Sequence, residues 1–158
     1  PSKTYKKTMT NNRNHLLDVN FLIALAWPNH VHHSIAKKWF HNHHAEGWST
    51  CLMTQAAFVR ISSNPKIIED AVTPIEALNL LKKYTERKTH LFLPNTVDFS
   101  AQEEYPVSLL HGHRQVTDFY LLLLARSNDA VLVTLDGKLG NGARGTEFED
   151  YVLNALSY

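Results

Sequence analysis

Apolar residues recur along the chain in short runs, and the period within each run predicts its element. HLLDV, from His15, is a brief apolar run ending in an acid, the pattern of a buried strand. NFLIALAW follows with continuous apolarity, which suits a helix buried on most sides and stopped by Pro28. In VHHSIAKKWFHNHH, the positions Val31, Ile35 and Trp39 fall at helical spacing, predicting an amphipathic helix with a histidine-rich outer face, ended by Gly47. WSTCLM has strand character, and TQAAFVRIS opens on Thr54, a threonine able to cap a helix running to the SSNP turn. Thr73, Pro74 and Glu76 make a helix N-terminus whose apolar stripe is Ala77, Leu80, Leu81 and Tyr84.

The second half repeats the alternation. THLFLP is a strand closed by Pro94, and residues 98–110 read as a short helix and a loop. VTDFYLLLLARSND predicts a strong helix through Val116, Phe119, Tyr120, Leu123 and Leu124, and AVLVTLD a buried strand that again ends in an acid. GKLGNGARG is expected to be a glycine-rich loop forming a mobile rim, without the spacing or following helix of a phosphate-cradling loop. TEFEDYVLNAL supplies a last strand or a short helix, and periodicity leaves that open. Strands alternating with helices predict a three-layer α/β/α domain with a mostly parallel central sheet.

A chain of 158 residues fits one such domain, placed at 14–158 and preceded by a solvated arm over residues 1–13, within which Met9 is a candidate first residue. With 16 basic and 15 acidic residues the formal charge is +1, so affinity for nucleic acid has to come from a local patch. Cys51 is the one cysteine, which excludes an internal disulfide and fits a reducing compartment. No apolar run reaches the roughly 18 residues of a membrane span, and the basic N-terminus lacks the apolar core of a secretory signal. The expectation is a cytoplasmic protein with no membrane partner.

The chemistry is carried by aspartates. In a parallel α/β sheet, ligands bind outside the carboxyl ends of the strands, where Asp18 and Asp136 each follow an apolar strand. Asp118 falls in the first turn of the helix leading to the second of those strands, so three carboxylates are expected to meet at one rim. Each alone has a plainer reading: Asp18 and Asp136 as helix N-caps, Asp118 as a dipole-stabilising acid. Taken together they repel unless a cation sits among them, and an oxygen-only donor set selects Mg²⁺ or Mn²⁺. Asn20 and Thr134 flank the acids and are placed to complete or orient the shell. Such a centre suits phosphodiester hydrolysis.

The strings LLDVNFLIALAWPNHVHH, TQAAFVRISSNP, HGHRQVTDFYLLLLA and VLVTLD, in this order, resemble the PIN-domain ribonucleases, specifically the VapC-type toxins of bacterial toxin–antitoxin operons. The resemblance runs from His15 to at least Asp136. It implies a PIN fold and a Mg²⁺- or Mn²⁺-dependent endoribonuclease that halts growth when freed from a VapB-type antitoxin, and it implies a homodimer. The family acids fall on Asp18, Asp118 and Asp136, the polar partner on Asn20, and the usual hydroxyl neighbour on Thr134. Many members carry a glutamate in a pattern like T-x-x-E-F-x-R. TQAAFVR places Ala57 there, with Gln55 nearby and uncharged. Three carboxylates then imply one tightly bound ion, with a second brought by the RNA phosphate. Two other readings stay open: a PIN-fold module that binds RNA or a partner without cutting, and a housekeeping RNase.

Among the other polar residues, Arg60, Lys66, Arg114, Lys138 and Arg144 are candidates for the positive patch, with His111 and His113 placed to touch RNA phosphate. Of the ten histidines, His30, His33, His41 and His44 include pairs at helical spacing but lack the further ligands of a zinc site, so a solvated face is expected. Trp27, Trp39, Phe40 and Trp48 either fill the core or line a groove for a partner helix, and core filling is the expectation.

Overall fold

Five short strands build one sheet, all parallel, in the computed structural model, which describes residues 13–158. They are β1 (His15–Leu17), β2 (Trp48–Cys51), β3 (His90–Leu93), β4 (Val131–Thr134) and β5 (Val152–Asn154), in the order β3-β2-β1-β4-β5. The chain moves outward from β1 to β3, then returns past β1 to lay down β4 and β5. The strand order therefore reverses between β1 and β4, which is where a crevice opens at the carboxyl edge of such a sheet.

Alternation along the two central strands explains both layers of the core. Leu16 pairs with Leu132 in register and Leu17 with Val133. Leu16 and Leu132 pack with Phe119, Leu121, Leu139 and Phe148, beneath α5 (Val116–Ser127) and α6 (Gly137–Ala143). Leu17 and Val133 pack on the opposite face with Phe21, Trp39, Phe58 and Leu81, from α1 (Val19–Ala26), α2 (His33–His43), α3 (Leu52–Ser62) and α4 (Pro74–Thr85). Strands covered on both sides read as unbroken apolar runs, which is why HLL and VLV lack a polar face. Trp39, Phe40 and Trp48 are buried in the core, and Trp27 donates its indole N–H to Ser62 Oγ at 3.0 Å. Among the described residues no helix is long and apolar enough to cross a membrane.

The structure corrects several local expectations. GKLGNGARG forms helix α6 rather than a loop. Asp136 caps it by accepting from Lys138 N at 2.9 Å, and Leu139 and Ala143, four residues apart, anchor its buried face. Gly142 serves close packing, since a Cβ there would stand 2.6 Å from Ser108 O, whereas one at Gly140 meets nothing within 4 Å. Gly142→Ala is therefore expected to cost about 1–3 kcal/mol in thermal melts. Gly140→Ala, free of that clash, is expected to be neutral or to stabilise by up to about 1 kcal/mol. Equal behaviour of the two variants would contradict this packing.

Helix α3 begins at Leu52, so Leu52 and Met53 leave the strand, and the cap is Cys51. Thr54 sits at the third helical position and accepts from Cys51 N at 3.0 Å. In α2 the apolar stripe is Ala36, Trp39 and Phe40, while Val31 and Ile35 are exposed at 84% and 41%. His43 turns inward to stack on Trp39 at 4.6 Å, so the histidine face is not wholly solvated. The open question of the tail resolves as strand β5, flanked by 3-10 turns. Residues 1–12 of the expected arm lie outside the described residues. Arg13, its last member, is docked, donating to Asp150 O at 2.9 Å and Ala130 O at 3.2 Å.

Candidate active site

β1 ends one residue before Asp18, and β4 ends at Thr134, two residues before Asp136, so the switch point delivers these groups to one edge. Asp18 is 3% exposed and held from two sides. Its Oδ1 accepts from Val19 N at 2.6 Å, which caps α1, and its Oδ2 accepts from Thr134 Oγ1 at 3.1 Å. The same threonine hydroxyl accepts from Asp136 N at 3.0 Å. Thr134 thus ties the two acid-bearing loops together across β1 and β4. Both plainer readings of these aspartates hold as well, since Asp18 caps α1 and Asp136 caps α6.

Asp118 comes from the first turn of α5. Its carboxyl is pushed up to about 7, first by burial and then by the charges of Asp18 and Asp136. Burial also pushes Asp18 up, opposed by its bonds from Thr134 and Val19 and reinforced by Asp136. Asp118 therefore feels both other acids and Asp18 feels Asp136, and among the described residues no hydrogen bond supports the ionised form of Asp118. Desolvation is the larger cause of both shifts, and like charge adds to it in the same direction.

A cleft of about 1070 Å³ opens at this edge, lined by Asp18, Asn20, Arg60 and Asp118 among the residues expected to act. Ala57, where the sequence resemblance leads to the expectation of a glutamate, lines it too. Thr134 and Asp136 are not among its lining residues, and the Thr134 hydroxyl links both to Asp18. Lys66, His111, His113, Arg114, Lys138 and Arg144 are not among its lining residues. The lining also includes Asn95, Asp98, Phe99, Thr117 and Tyr120, which the sequence reading did not single out as site residues. Asn95 and Asp98 follow β3 at the carboxyl edge, so the rule that found Asp18 and Asp136 applies to them equally.

The donor chemistry fits a hard divalent cation: oxygen only, with one carboxylate unpartnered and its ionised form penalised by its neighbours. Asp18, Asp118 and Asp136 are the residues that would hold it. The carboxylates are not gathered into a ready-made ligand set, and two of them cap helices. Among the described residues no group of three or more His, Cys, Asp or Glu stands close enough to hold a metal ion. The histidines of α2 likewise form no such group. His33 Nδ1 lies 2.8 Å from Ala24 O, and His44 stacks on Phe40 at 5.3 Å.

The α/β/α layering, the reversal of strand order and the acids at that crevice define a PIN-like domain. The fold is similar to a chain of the FitAcB crystal structure from Neisseria gonorrhoeae, with a TM-score of 0.51 over 91% of this chain and 99% of that one; at 14% identity the likeness is one of architecture. No family model matches the chain. Ribonuclease VapC39 of Mycobacterium tuberculosis (strain ATCC 25618 / H37Rv) is 41% identical over 128 residues, covering 81% of this chain and 92% of that protein. Ribonuclease VapC38 of the same strain is 43% identical over 121 residues, 77% of this chain and 84% of the relative. The chain belongs to the VapC-type PIN-domain ribonucleases.

Proposed function

We propose that this protein is a divalent-metal-dependent endoribonuclease toxin of the cytoplasm, acting as a homodimer and neutralised by a cognate VapB-type antitoxin. The observation that carries the catalytic part is geometric: Asp18 and Asp118 line one cleft at the switch point and Asp136 is tied to Asp18 through Thr134, with the Asp118 carboxyl pushed up to about 7 by burial and by the other two charges. The names of the M. tuberculosis relatives support RNA as the substrate. The chemistry that a bound Mg²⁺ or Mn²⁺ supplies is polarisation of the scissile phosphate and activation of a water for attack.

The chain's own residues prepare that site. Thr134 and Val19 N fix Asp18 in one orientation, and Asp136 is held in register with it through Thr134. Asp118 offers the carboxylate with no competing bond. Asn20 lies on the same wall, placed to orient the shell, and Arg60 supplies the cleft with a guanidinium suited to a phosphate oxygen. Ala57 adds no charge, which favours one tightly held ion and a second arriving with the substrate.

The purified chain is expected to cleave RNA in Mg²⁺ or Mn²⁺, to stop on addition of a chelator, and to recover when metal is restored. Cleavage that persists in chelator would contradict the metal-dependent reading. RNA binding without cleavage in any metal would favour a PIN-fold binding module.

A further inference from the structure

Part of the lining of the cleft has a composition that phosphate chemistry does not explain. Leu52, Met53, Val97, Phe99 and Val116 make it apolar, and Leu52 and Met53 are exposed at 67% and 39%. The half-buried ring of Phe99 packs against Phe119 at 5.9 Å and Tyr105 and Tyr120 at 6.5 Å each. It is a supported aromatic surface at a cleft, as an unstacked base requires.

Two polar groups line the same cleft as that ring, each already half committed. Asn95 accepts the Tyr120 hydroxyl on Oδ1 at 3.0 Å, which leaves its Nδ2–H groups as donors. Asp98 Oδ1 accepts from Ser100 Oγ at 2.8 Å and Ser100 N at 3.0 Å, which leaves Oδ2 as an acceptor. Those bonds hold the Asp98 carboxyl below the usual range, so it is ionised at neutral pH. A fixed carboxylate beside an amide donor matches guanine best. Guanine alone presents two adjacent N–H donors, N1–H and N2–H, next to an O6 acceptor.

We propose that Phe99, Asn95 and Asp98 form a nucleobase subsite that takes an unpaired guanine of the RNA, stacked on Phe99 and read by Asp98 and Asn95. This deepens the ribonuclease reading and rests on it for the identity of the ligand. The subsite makes the enzyme selective for single-stranded segments, because a paired guanine has its reading edge occupied.

The test is fluorescence anisotropy with labelled oligouridines carrying one central guanine or one central adenine, added to the full chain in chelator so that binding is read without cleavage. The guanine oligonucleotide is expected to bind roughly tenfold more tightly. Asp98→Asn should reduce that preference to within about twofold, since one carboxylate acceptor is replaced by an amide donor. Phe99→Ala should weaken both oligonucleotides by roughly tenfold through lost stacking. Equal binding of the two by the wild type, no binding of either, or a preference retained in a folded Asp98→Asn variant would each overturn the subsite. A Phe99→Ala change that alters the oligomeric state and leaves RNA binding untouched would assign the wall to a protein interface instead. Cleavage in Mg²⁺ is measured alongside. Cutting without base preference sinks the subsite and leaves the nuclease standing, whereas guanine-selective binding without cutting does the reverse.

Discussion

Asp18→Asn is expected to lower RNA cleavage by roughly a thousandfold or more, the loss of several kcal/mol of stabilisation from one member of a metal-holding set. The fold should survive. An asparagine Oδ1 still accepts from Val19 N, and its amide can donate to the Thr134 hydroxyl, which has a second lone pair beside the one facing Asp136 N. Removing a buried charge also relieves desolvation, so the melting temperature should not fall. Cleavage assays beside circular-dichroism melts separate the two effects. A folded Asp18→Asn protein with undiminished activity would take Asp18 out of the site.

Asp118→Asn should be inactive and yet more stable than the wild type in metal-free buffer. The sign follows from the raised carboxyl. Unfolded, Asp118 titrates near the ordinary value of about 3.9. Folded, it titrates at about 7, so the native state holds the proton more tightly. The penalty for folding with this group is absent below about pH 4, grows as pH rises toward 7, and is fully present above 7. The stabilising effect of Asp118→Asn should therefore be negligible at pH 4 and reach a plateau of about 1–3 kcal/mol above pH 7, after solvent screening. Mn²⁺ should reverse the order at pH 8, raising the wild-type melting temperature and leaving the variant nearly unchanged. An advantage for the variant that is independent of pH would show that Asp118 is not under electrostatic strain.

Much of this was legible because the central strands are buried on both faces. The runs HLL and VLVT announced parallel strands, and the acids after them marked the carboxyl edge. What the residues could not separate was capping from chemistry. Asp18 and Asp136 do cap helices, and their place at the switch point comes from topology, which neither local string contains. α6 was misread because its glycines have low helix propensity in isolation, while the Asp136 cap and the burial of Leu139 and Ala143 override it. Arg114 and Lys138 are marked by charge and His113 by nearness to Asp118 along the chain, and neither property decides which residues line a cleft. Asn95 and Asp98 were passed over because PNTVDF has no apolar period, although its place after β3 is the same as that of the acids after β1 and β4.

The account turns on Asp18, Asp118 and Asp136 acting as one cation-holding group, and calorimetric titration of Mn²⁺ into the RNA-free protein tests it most directly. The account predicts one tight site in the wild type that is lost in each single aspartate-to-asparagine variant. Binding that is unchanged in those variants, or absent from the wild type, would contradict it.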